Sequence, residues 1–493
     1  MKNVLLIGPH NPNIRTGQYL APPLGIHRIA SYLKSKGVAN VDVVDPNLRK
    51  EGLYERLKSC NYDIIGSSLL HPTLEHDLRI IFDVEDIQPN ALKIIGGQGA
   101  SFNYEEILKK TPAGIVVRGY GEKTLENILG HEGELRDIPG IHLKQNGKIY
   151  STPLLKKMSV EEFKEISLCL SFENIPYNNY WKYMAEQYGG EHLKAMKNEG
   201  MVKTIRLMTS NYCPMGCTFC SSTNFLDEAS EEKQKLLQLT SKEIISLIKK
   251  AIRAYPETTA FYFNDDNFML DKKRNEEFYK SMQTFDGKYN LMCMGRVDNV
   301  DYDTLKKMKK AGFKIVFYGV ETFSSSLAKD IKKTRRDDYE KVSRKAILDT
   351  LRVGLVSQSS LMLFLPSSTE KDLNITIENS VDLMEQGARI TIFPYIEAYS
   401  GAEITKNHRL SYNEFTIKDK HFKFPYLVLP DDPNIEELAR KSINLKERLN
   451  DKFRSRFGSR IAQPIDSLNL FKAIYTQLGK STKKIEKVIK RLA

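Results

Sequence analysis

Short apolar runs alternate with helix-patterned segments over roughly the first 150 residues. Between the runs, apolar residues recur at the three- and four-residue spacing of an amphipathic helix, as at 24–36 and 74–86. Strands and helices that alternate in this way build a parallel, doubly wound sheet. We therefore predict that residues 1–150 form a Rossmann-like α/β domain. Its predicted strands are Val4–Gly8, Val41–Asp45, Asp63–Leu69, Leu92–Gly96 and Gly114–Arg118.

A second series of strand–helix units fills residues 201–405. Its helices include 241–254, for which Thr240 or Ser241 is the expected N-cap. Six consecutive units predict a partial TIM-type (β/α)6 barrel, in which site residues lie at the carboxyl ends of the strands. The predicted strands are Thr204–Thr209, Ala260–Asp265, Leu291–Arg296, Lys314–Glu321, Gln358–Leu365 and Ala388–Tyr395.

Two stretches follow neither repeat. Residues 151–200 contain the only tryptophan, Trp181, in a tyrosine-rich segment that runs from Tyr177 to Tyr188, and we predict an inter-domain linker there. Residues 406–493 are predicted to form a small, basic, helical C-terminal region that caps the barrel. Its predicted helices are 435–453, 468–478 and 485–492.

The composition is that of a soluble globular protein of two to four domains, with 41% hydrophobic and 28% charged residues in a chain of 493. No run approaches the roughly 18 apolar residues that a membrane span needs. The first residues lead directly into a predicted strand, so no signal peptide is expected. Six cysteines, half of them in one loop, do not form a disulfide framework. We expect a cytoplasmic protein in a reducing compartment.

The net charge of +12 is concentrated near the C-terminus. Residues 434–493 hold 15 Lys or Arg against 6 Asp or Glu. The solvated faces of amphipathic helices would explain this excess. The alternative is a surface for an anionic partner such as a lipid headgroup, a nucleic acid or a phosphorylated substrate.

Three cysteines, Cys213, Cys217 and Cys220, form a C-x3-C-x2-C motif directly after the first predicted barrel strand. Three thiolates on one loop can hold a cubane iron–sulfur cluster with one iron open to an outside ligand. A structural zinc site normally closes its fourth position with Cys or His, and the next cysteine is the distant Cys293. Zinc or unliganded loop thiols remain the alternative.

This arrangement resembles the radical SAM superfamily, whose 4Fe–4S cluster chelates S-adenosylmethionine (SAM). The resemblance implies that polar groups at the ends of the following strands contact SAM, with Phe219 as an apolar wall of the Cys loop. For two of these groups, Asp265 and Asp266, the alternative is an Asx-turn, and for Glu321 it is a salt bridge across the barrel mouth. The predicted SAM-binding residues are Phe219, Asp265, Asp266, Arg296, Glu321 and Gln358.

The loops after the strands of the first domain resemble cobalamin-binding domains that precede radical SAM domains. The resemblance rests on Pro22–Gly25, on Gly96-Gly97-Gln98 and on Gly119-Tyr120-Gly121-Glu122. The Asp-x-His-x-x-Gly motif of many such domains is absent, which leaves the 68–71 loop as the expected neighbour of cobalt's lower face. His71 could ligate cobalt, or it could have a capping or surface role. The predicted cobalamin-binding residues are Pro9, Ser67, Ser68, Leu70, His71, Gly96, Gly97, Gln98, Gly119, Gly121 and Glu122.

Residues 3–400 as a whole resemble the cobalamin-dependent radical SAM enzymes. The resemblance implies a 5′-deoxyadenosyl radical that removes a hydrogen atom from an unactivated carbon, which then takes a methyl group from methylcobalamin. We therefore predict a C-methyltransferase in which the cofactors carry the chemistry, with Tyr399 as a candidate substrate contact. Cys60 and Cys169 are predicted to be inert, and Cys293 to be a core thiol unless it faces the barrel lumen.

Several alternatives stay open at this point. The same cofactors support rearrangement, cyclisation or oxidation without methyl transfer, and the first domain could have lost cobalamin and serve as a scaffold. A methylthiotransferase would need a second cysteine triplet, and a cobalamin sensor would not need the open-iron loop. The expected partners are a small-molecule or lipid-like substrate and an external electron donor of the flavodoxin or ferredoxin type. Nucleic acid is not expected, contact with a membrane surface stays open, and the oligomeric state is not determined.

Overall fold

The computed structural model describes residues 1–11, 20–187, 200–457 and 459–492. The N-terminal domain consists of β1 (Lys2–Ile7), α1 (Leu24–Lys36), β2 (Ala39–Val44), α2 (Lys50–Ser59), β3 (Ile64–Ser68), α3 (Leu74–Ile87), β4 (Leu92–Gly96), α4 (Gln98–Ser101), α5 (Tyr104–Lys110), β5 (Ile115–Val117), α6 (Gly121–Gly130), β6 (Ile141–Gln145) and β7 (Lys148–Ser151).

In the described part of the chain, these strands form a sheet of seven in the order β2-β1-β3-β4-β5-β6-β7. The first five are parallel, as predicted, and the strand order reverses between β1 and β3, where sheets of this type bind ligands. The antiparallel hairpin β6–β7 extends the sheet and was not predicted. Its turn is Asn146-Gly147, both at positive φ (50° and 74°), a strong hairpin signal in the sequence.

The segment between the two domains contains α7 (Val160–Leu168) and α8 (Tyr177–Gln187). Trp181 donates a hydrogen bond to the Thr204 carbonyl of the barrel at 3.2 Å. One residue earlier, the Tyr180 hydroxyl donates to Asp45 Oδ2 of the sheet domain at 2.6 Å. Helix α8 therefore joins the two domains, while Tyr188, the end of the predicted tyrosine-rich segment, lies outside the described residues.

The second domain is built from β8 (Thr204–Leu207), α9 (Ser222–Asp227), α10 (Ser241–Ala254), β9 (Ala260–Phe263), α11 (Lys272–Gln283), β10 (Asn290–Gly295), α12 (Tyr302–Lys310), β11 (Phe313–Glu321), α13 (Ser325–Asp330), α14 (Tyr339–Arg352), β12 (Val356–Met362), α15 (Glu370–Glu385) and β13 (Arg389–Phe393).

Among the described residues, six parallel strands follow one another in chain order from β8 to β13, which confirms the predicted partial barrel. Helix α10 begins after Thr240, whose side chain and that of Glu243 form a reciprocal capping box. Cys293 is fully buried on the face of β10 that packs against the helices, among aromatic side chains such as Phe263 and Phe278. It is a core thiol and does not face the lumen.

The last part of the chain consists of β14 (Ile396–Glu397), α16 (Ile404–Asn407), β15 (Leu410–Ile417), β16 (Lys420–Val428), α17 (Pro433–Phe457), α18 (Ser459–Gln477) and α19 (Lys483–Leu492). The three predicted helices are present, but residues 410–428 form a β-hairpin in a region predicted to be wholly helical. Buried Phe422 and Phe424 alternate with exposed Lys423, the period-two pattern of a strand. These phenylalanines pack with Phe82 of the sheet domain, so the hairpin clasps both domains.

The basic C-terminal helices find acidic partners within the chain. Three lysines of the last segment pair with the acidic face of α15, at N–O distances of 2.9 to 3.8 Å. These pairs are Lys480–Glu370, Lys484–Asp382 and Lys487–Glu385. Intramolecular pairing therefore occupies part of the basic surface, in agreement with solvated amphipathic helices. Among the described residues, no helix combines the length and the apolar character that a bilayer crossing requires.

Candidate cofactor-binding site

The loop Cys213–Cys220 leaves the carboxyl end of β8 and is held against two later parts of the chain. The Thr218 N–H donates to the Ile331 carbonyl at 3.0 Å, and the Ile404 N–H donates to the Thr218 carbonyl at 2.9 Å. Gly216 has a φ of 67°, a conformation that glycine adopts without strain. The barrel thus fixes the course of the loop on both sides.

The three thiols form one group at the barrel mouth. Burial raises the pKa of the Cys213 thiol to about 11 and that of Cys220 to about 12, and the negative charge of Asp266 adds to both. All three thiols are half-buried. Cys213 and Cys217 lie close enough to Cys220 that their negative charges also raise its pKa. Since a metal ligand must be a thiolate, binding of a cluster would expel protons that the protein alone retains.

Within the described ranges, no three His, Cys, Asp or Glu side chains converge on one point that could hold a single metal ion. A cubane cluster makes a different demand, because its three cysteine ligands bind three different irons. The three neighbouring thiols at the barrel mouth are compatible with ligands that bind three separate irons.

Asp265 was predicted to contact SAM, and the structure instead buries it beneath the start of the Cys loop. Its carboxylate accepts from the backbone N–H groups of Thr209 and Ser210 at 2.7 and 2.5 Å, and from their hydroxyls at 2.7 and 2.6 Å. Arg274, also buried, donates to the Thr209 hydroxyl at 3.3 Å. Asp265 therefore fastens β9 to the end of β8 and sets the direction in which the Cys loop departs.

The neighbouring Asp266 is not buried in this way, and its contact with SAM stays a prediction. Its side chain is exposed to the space at the barrel mouth and accepts a hydrogen bond from the Ser222 hydroxyl at the start of α9. The surrounding protein raises the pKa of its carboxyl through desolvation. This carboxylate lies beside the thiols and can receive hydrogen bonds from a ligand there.

Arg296 lies at the end of β10 next to the thiols. It binds Asp298 through both carboxylate oxygens, at 2.9 and 2.8 Å, and its third nitrogen lies 3.7 Å from Cys217 Sγ. The guanidinium also donates to the Lys333 carbonyl. Arg296 was predicted to bind a carboxylate bidentately, and the carboxylate that it binds here is that of Asp298. This pair holds the guanidinium beside the cysteine loop.

Glu321 ends β11 at a φ of 68° and pairs with a residue that the sequence analysis did not identify. Lys333 Nζ lies 3.0 Å from Glu321 Oε1, and both side chains are about nine-tenths buried. A Cβ on Gly319 would approach Glu321 Oε1 to 2.5 Å and Lys333 Nζ to 3.0 Å, so the glycine makes room for the pair. The salt bridge considered as the alternative for Glu321 is present.

Two further residues were predicted to contact SAM. Phe219 packs against an apolar cluster that contains Leu365, and Lys333 Nζ lies 5.9 Å from the centre of its ring. Gln358 is half-buried on β12, three residues before the residue in register with Glu321, and so lies deeper in the barrel.

We expect Lys333→Gln to weaken SAM binding about tenfold, which corresponds to a loss of about 1.4 kcal/mol. The lysine holds the Glu321 carboxylate in place, and without it a buried charge is left unpaired. The adjacent Lys332→Gln is the matched control, since Lys332 pairs with Glu403 on the surface. Equilibrium dialysis of SAM against the cluster-loaded enzyme measures both, and equal affinities for the two variants would contradict this role of Lys333.

In the sheet domain, several predicted cobalamin residues are occupied by packing. A Cβ on Gly97 would lie 2.6 Å from the Leu69 carbonyl, on Gly119 2.8 Å from Ala229 Cβ, and on Gly121 2.8 Å from the Ile29 side chain. The missing Cβ atoms of these glycines allow close approach of protein segments, and their predicted contact with cobalamin stays a prediction. Glu122 is 2% exposed and its Oε1 pairs with Arg28 at 2.8 Å, so it too lies inside the domain.

Other predicted cobalamin residues face the barrel from the carboxyl edge of the sheet. Gln98 accepts a hydrogen bond from Ser221, next to the last cluster cysteine, at 3.4 Å. On the loop after β3, the Leu70 side chain is 40% exposed and His71 Nδ1 is buried without a hydrogen-bond partner. An exposed apolar side chain and an unsatisfied nitrogen on one loop fit a large ligand that has apolar and polar parts. The further predicted residues along this edge are Pro9, Ser67, Ser68 and Gly96.

The two domains meet with these edges face to face. The His71 and Tyr399 rings lie 5.0 Å apart, and Asn103 Nδ2 donates to Ser400 Oγ at 3.1 Å. Tyr120, after β5, donates through its hydroxyl to the carbonyl of Asn211 in the Cys loop region. Ligands held by the sheet and by the barrel would therefore lie against each other.

Comparison with known protein families agrees with this geometry. The B12 binding domain family matches residues 11–129, and the Radical SAM superfamily matches residues 207–379. The chain belongs to the cobalamin-dependent radical SAM family. The predicted family and enzyme class are confirmed, and so are its cofactors, a 4Fe–4S cluster, SAM and cobalamin.

Individual relatives are distant. An uncharacterized methyltransferase of Pyrococcus horikoshii is 24% identical over 454 residues, which is 90% of this chain and 91% of that protein. The anaerobic magnesium-protoporphyrin IX monomethyl ester cyclase of Cereibacter sphaeroides is 22% identical over 73% of this chain, which spans 56% of the cyclase. The solved structure of the cobalamin-dependent S-adenosylmethionine radical enzyme OxsB superposes with a TM-score of 0.66 at 14% identity, covering 100% of this chain and 79% of that one. This likeness confirms the fold.

In this family, different residues of the chain would hold each cofactor. Cys213, Cys217 and Cys220 would ligate the cluster, and the Asp266, Arg296 and Glu321 side chains surround the adjoining space in which SAM would bind. The loops after β3 and β4 would hold cobalamin. The sequence alone did not single out Lys333, because nothing in Asp330-Ile331-Lys332-Lys333 distinguishes its two lysines.

Proposed function

We propose that this enzyme transfers a methyl group to a carbon atom of a small organic substrate held between its two domains. The observation that carries the proposal is the direct contact of the β3 and β4 loops with the other half of the chain: Gln98 contacts Ser221 at the end of the Cys loop, and His71 contacts Tyr399 after β14. When bound, SAM on the cluster supplies a carbon-centred radical, and cobalamin supplies the methyl group.

The chain's own contribution is to position these groups and to keep water away from them. Phe219, Tyr399, Leu365 and Met362 belong to one apolar cluster next to the thiols. Tyr399 and His71 close this cluster toward the sheet domain. An apolar wall of this kind protects a reactive intermediate from solvent. The similarity to an uncharacterized methyltransferase over most of both chains supports the same reaction class.

The test uses the reconstituted enzyme with SAM that carries a deuterated methyl group, together with candidate substrates or a metabolite extract. We expect substrate-dependent formation of 5′-deoxyadenosine and a product that carries the deuterium label, detected by mass spectrometry. The control is the same incubation with Cys217→Ala. Formation of 5′-deoxyadenosine with an unlabelled product would contradict the methyl-transfer proposal.

The unlabelled outcome would instead favour ring formation without methyl transfer, the alternative supported by similarity to the cyclase. The alternative in which the first domain is only a scaffold is not retained, because that domain matches the B12 binding domain family.

A further inference from the structure

A cluster of three polar side chains connects the sheet domain to the barrel domain beside the expected cobalamin site. His71, on the loop after β3, contacts the ring of Tyr399 at 5.0 Å between centroids. The Tyr399 hydroxyl is hydrogen-bonded to the carboxylate of Glu397 on β14, and the charge of Glu397 also reaches His71. The three side chains therefore form one cluster drawn from both domains.

Two polar atoms in this cluster have no hydrogen-bond partner. They are Glu397 Oε2 and His71 Nδ1, and both are buried. Burial lowers the pKa of His71, which favours the neutral imidazole. A neutral imidazole has one donor nitrogen and one acceptor nitrogen, so Nδ1 can take either role toward a ligand, whereas the Glu397 carboxylate oxygen can only accept.

A buried carboxylate oxygen without a partner calls for a ligand with hydrogen-bond donors, because unsatisfied buried polar atoms are rare in native proteins. Glu397 Oε2 would repel an anionic ligand group and would accept a hydrogen bond from an N–H group. An uncharged amide suits both atoms, because it carries a donor N–H and an acceptor oxygen.

The position of the cluster indicates which ligand supplies these donors. His71 follows β3, which lies beside β1 at the point where the strand order reverses and where such sheets bind ligands. The loop lies within the stretch that matches the B12 binding domain. The corrin ring of cobalamin carries carboxamide side chains around its rim, and their N–H groups are uncharged donors.

We propose that Glu397 and His71 together bind peripheral carboxamide groups of cobalamin, so that the barrel domain completes the cobalamin site. Glu397 lies outside both stretches matched by the domain families. In the chain it follows the last barrel strand, whereas the cysteine loop follows the first. Cobalamin then bridges the two domains, and its retention depends on a residue of the barrel half. This holds whichever product the enzyme forms.

The test is a titration of the full-length, cluster-loaded enzyme, freed of corrinoid, with hydroxocobalamin, followed by absorption. We expect Glu397→Ala to weaken binding about tenfold or more, because a hydrogen bond to a charged group is lost. Glu403→Gln is the matched control, since Glu403 lies six residues later and pairs with Lys332 on the surface. Iron content and thermal unfolding are measured in parallel, and Glu397→Gln serves as the variant of nearly equal size if Glu397→Ala does not fold.

A second arm uses cobalamin monocarboxylates, in which one peripheral carboxamide has been hydrolysed to a carboxylate. We expect the wild-type enzyme to bind at least one of these isomers about tenfold more weakly than cobalamin, because a donor is replaced by a charge facing Glu397. Glu397→Gln should recover most of that loss for the same isomer. Affinities of Glu397→Ala and Glu397→Gln within twofold of wild type for hydroxocobalamin, or a loss equal to that of Glu403→Gln, would overturn the proposal. So would equal discrimination among the monocarboxylates by wild type and Glu397→Gln.

Discussion

Cys217→Ala is expected to abolish both the iron–sulfur cluster and the formation of 5′-deoxyadenosine. Two thiolates cannot hold a cubane that needs three, and Cys217 is the thiol nearest to the Arg296 guanidinium, at 3.7 Å. Iron content, visible absorption and 5′-deoxyadenosine after anaerobic reconstitution are the measurements. The expected result is a loss of at least about a thousandfold, because the cofactor carries this chemistry and the protein has no substitute for it.

Cys60→Ala is the matched control for this experiment. Cys60 is also a half-buried thiol, but it lies at the end of α2 in the sheet domain. It should retain full iron content and activity. A Cys217→Ala protein that keeps its cluster and still cleaves SAM would show that the loop is not the cluster ligand set, and would return the zinc and free-thiol alternatives.

Asp265→Ala is expected to lower the free energy of unfolding of the barrel by about 3 kcal/mol or more. The substitution leaves two buried backbone N–H groups and two hydroxyls without their acceptor, next to the buried Arg274. Because the lost bonds secure Thr209 and Ser210, directly before the Cys loop, the variant should also retain less cluster after reconstitution.

Urea unfolding followed by tryptophan fluorescence measures this effect with little ambiguity. The chain has one tryptophan, and Trp181 is hydrogen-bonded to Thr204 of the same strand that Asp265 secures. Asp303→Ala is the control, since the Asp303 side chain is 78% exposed and its loss should cost less than about 0.5 kcal/mol. An Asp265→Ala midpoint that coincides with the control would show that these hydrogen bonds do not stabilise the barrel.

The contrast between Asp265 and Asp266 shows where sequence reasoning stops. Two adjacent aspartates after a strand point to opposite sides of the backbone, and the sequence assigned both to SAM. One turns inward and is consumed by Thr209 and Ser210, while the other is exposed at the barrel mouth. Which of them turns inward depends on the position of β8, a neighbour 56 residues away in the chain.

The same limit applies to the glycines and to the C-terminal region. Gly97, Gly119 and Gly121 follow strands as cofactor glycines do, yet their missing Cβ atoms make room for protein. The hairpin β15–β16 went unpredicted because helix signals on both sides outweighed a short period-two pattern. Its turn, Lys418-Asp419, with φ of 45° and 63°, has no glycine, so the signal was weaker than at Asn146-Gly147.

The sequence by itself determined the parallel sheet, the partial barrel, the cofactors and the family, because periodicity and motif spacing are local properties of the chain. Only the tertiary structure decided which polar groups serve the site. Ion pairs such as Glu321–Lys333 and clusters such as His71–Tyr399–Glu397 join residues from different elements. Burial decides whether a charge is paired within the chain or left for a ligand, and side chains become buried only when those elements pack. The spacing of the cysteines in the Cys213–Cys220 loop indicates the chemistry. The contacts of Asp265 beneath the loop and of the sheet domain opposite it fix the position of the loop.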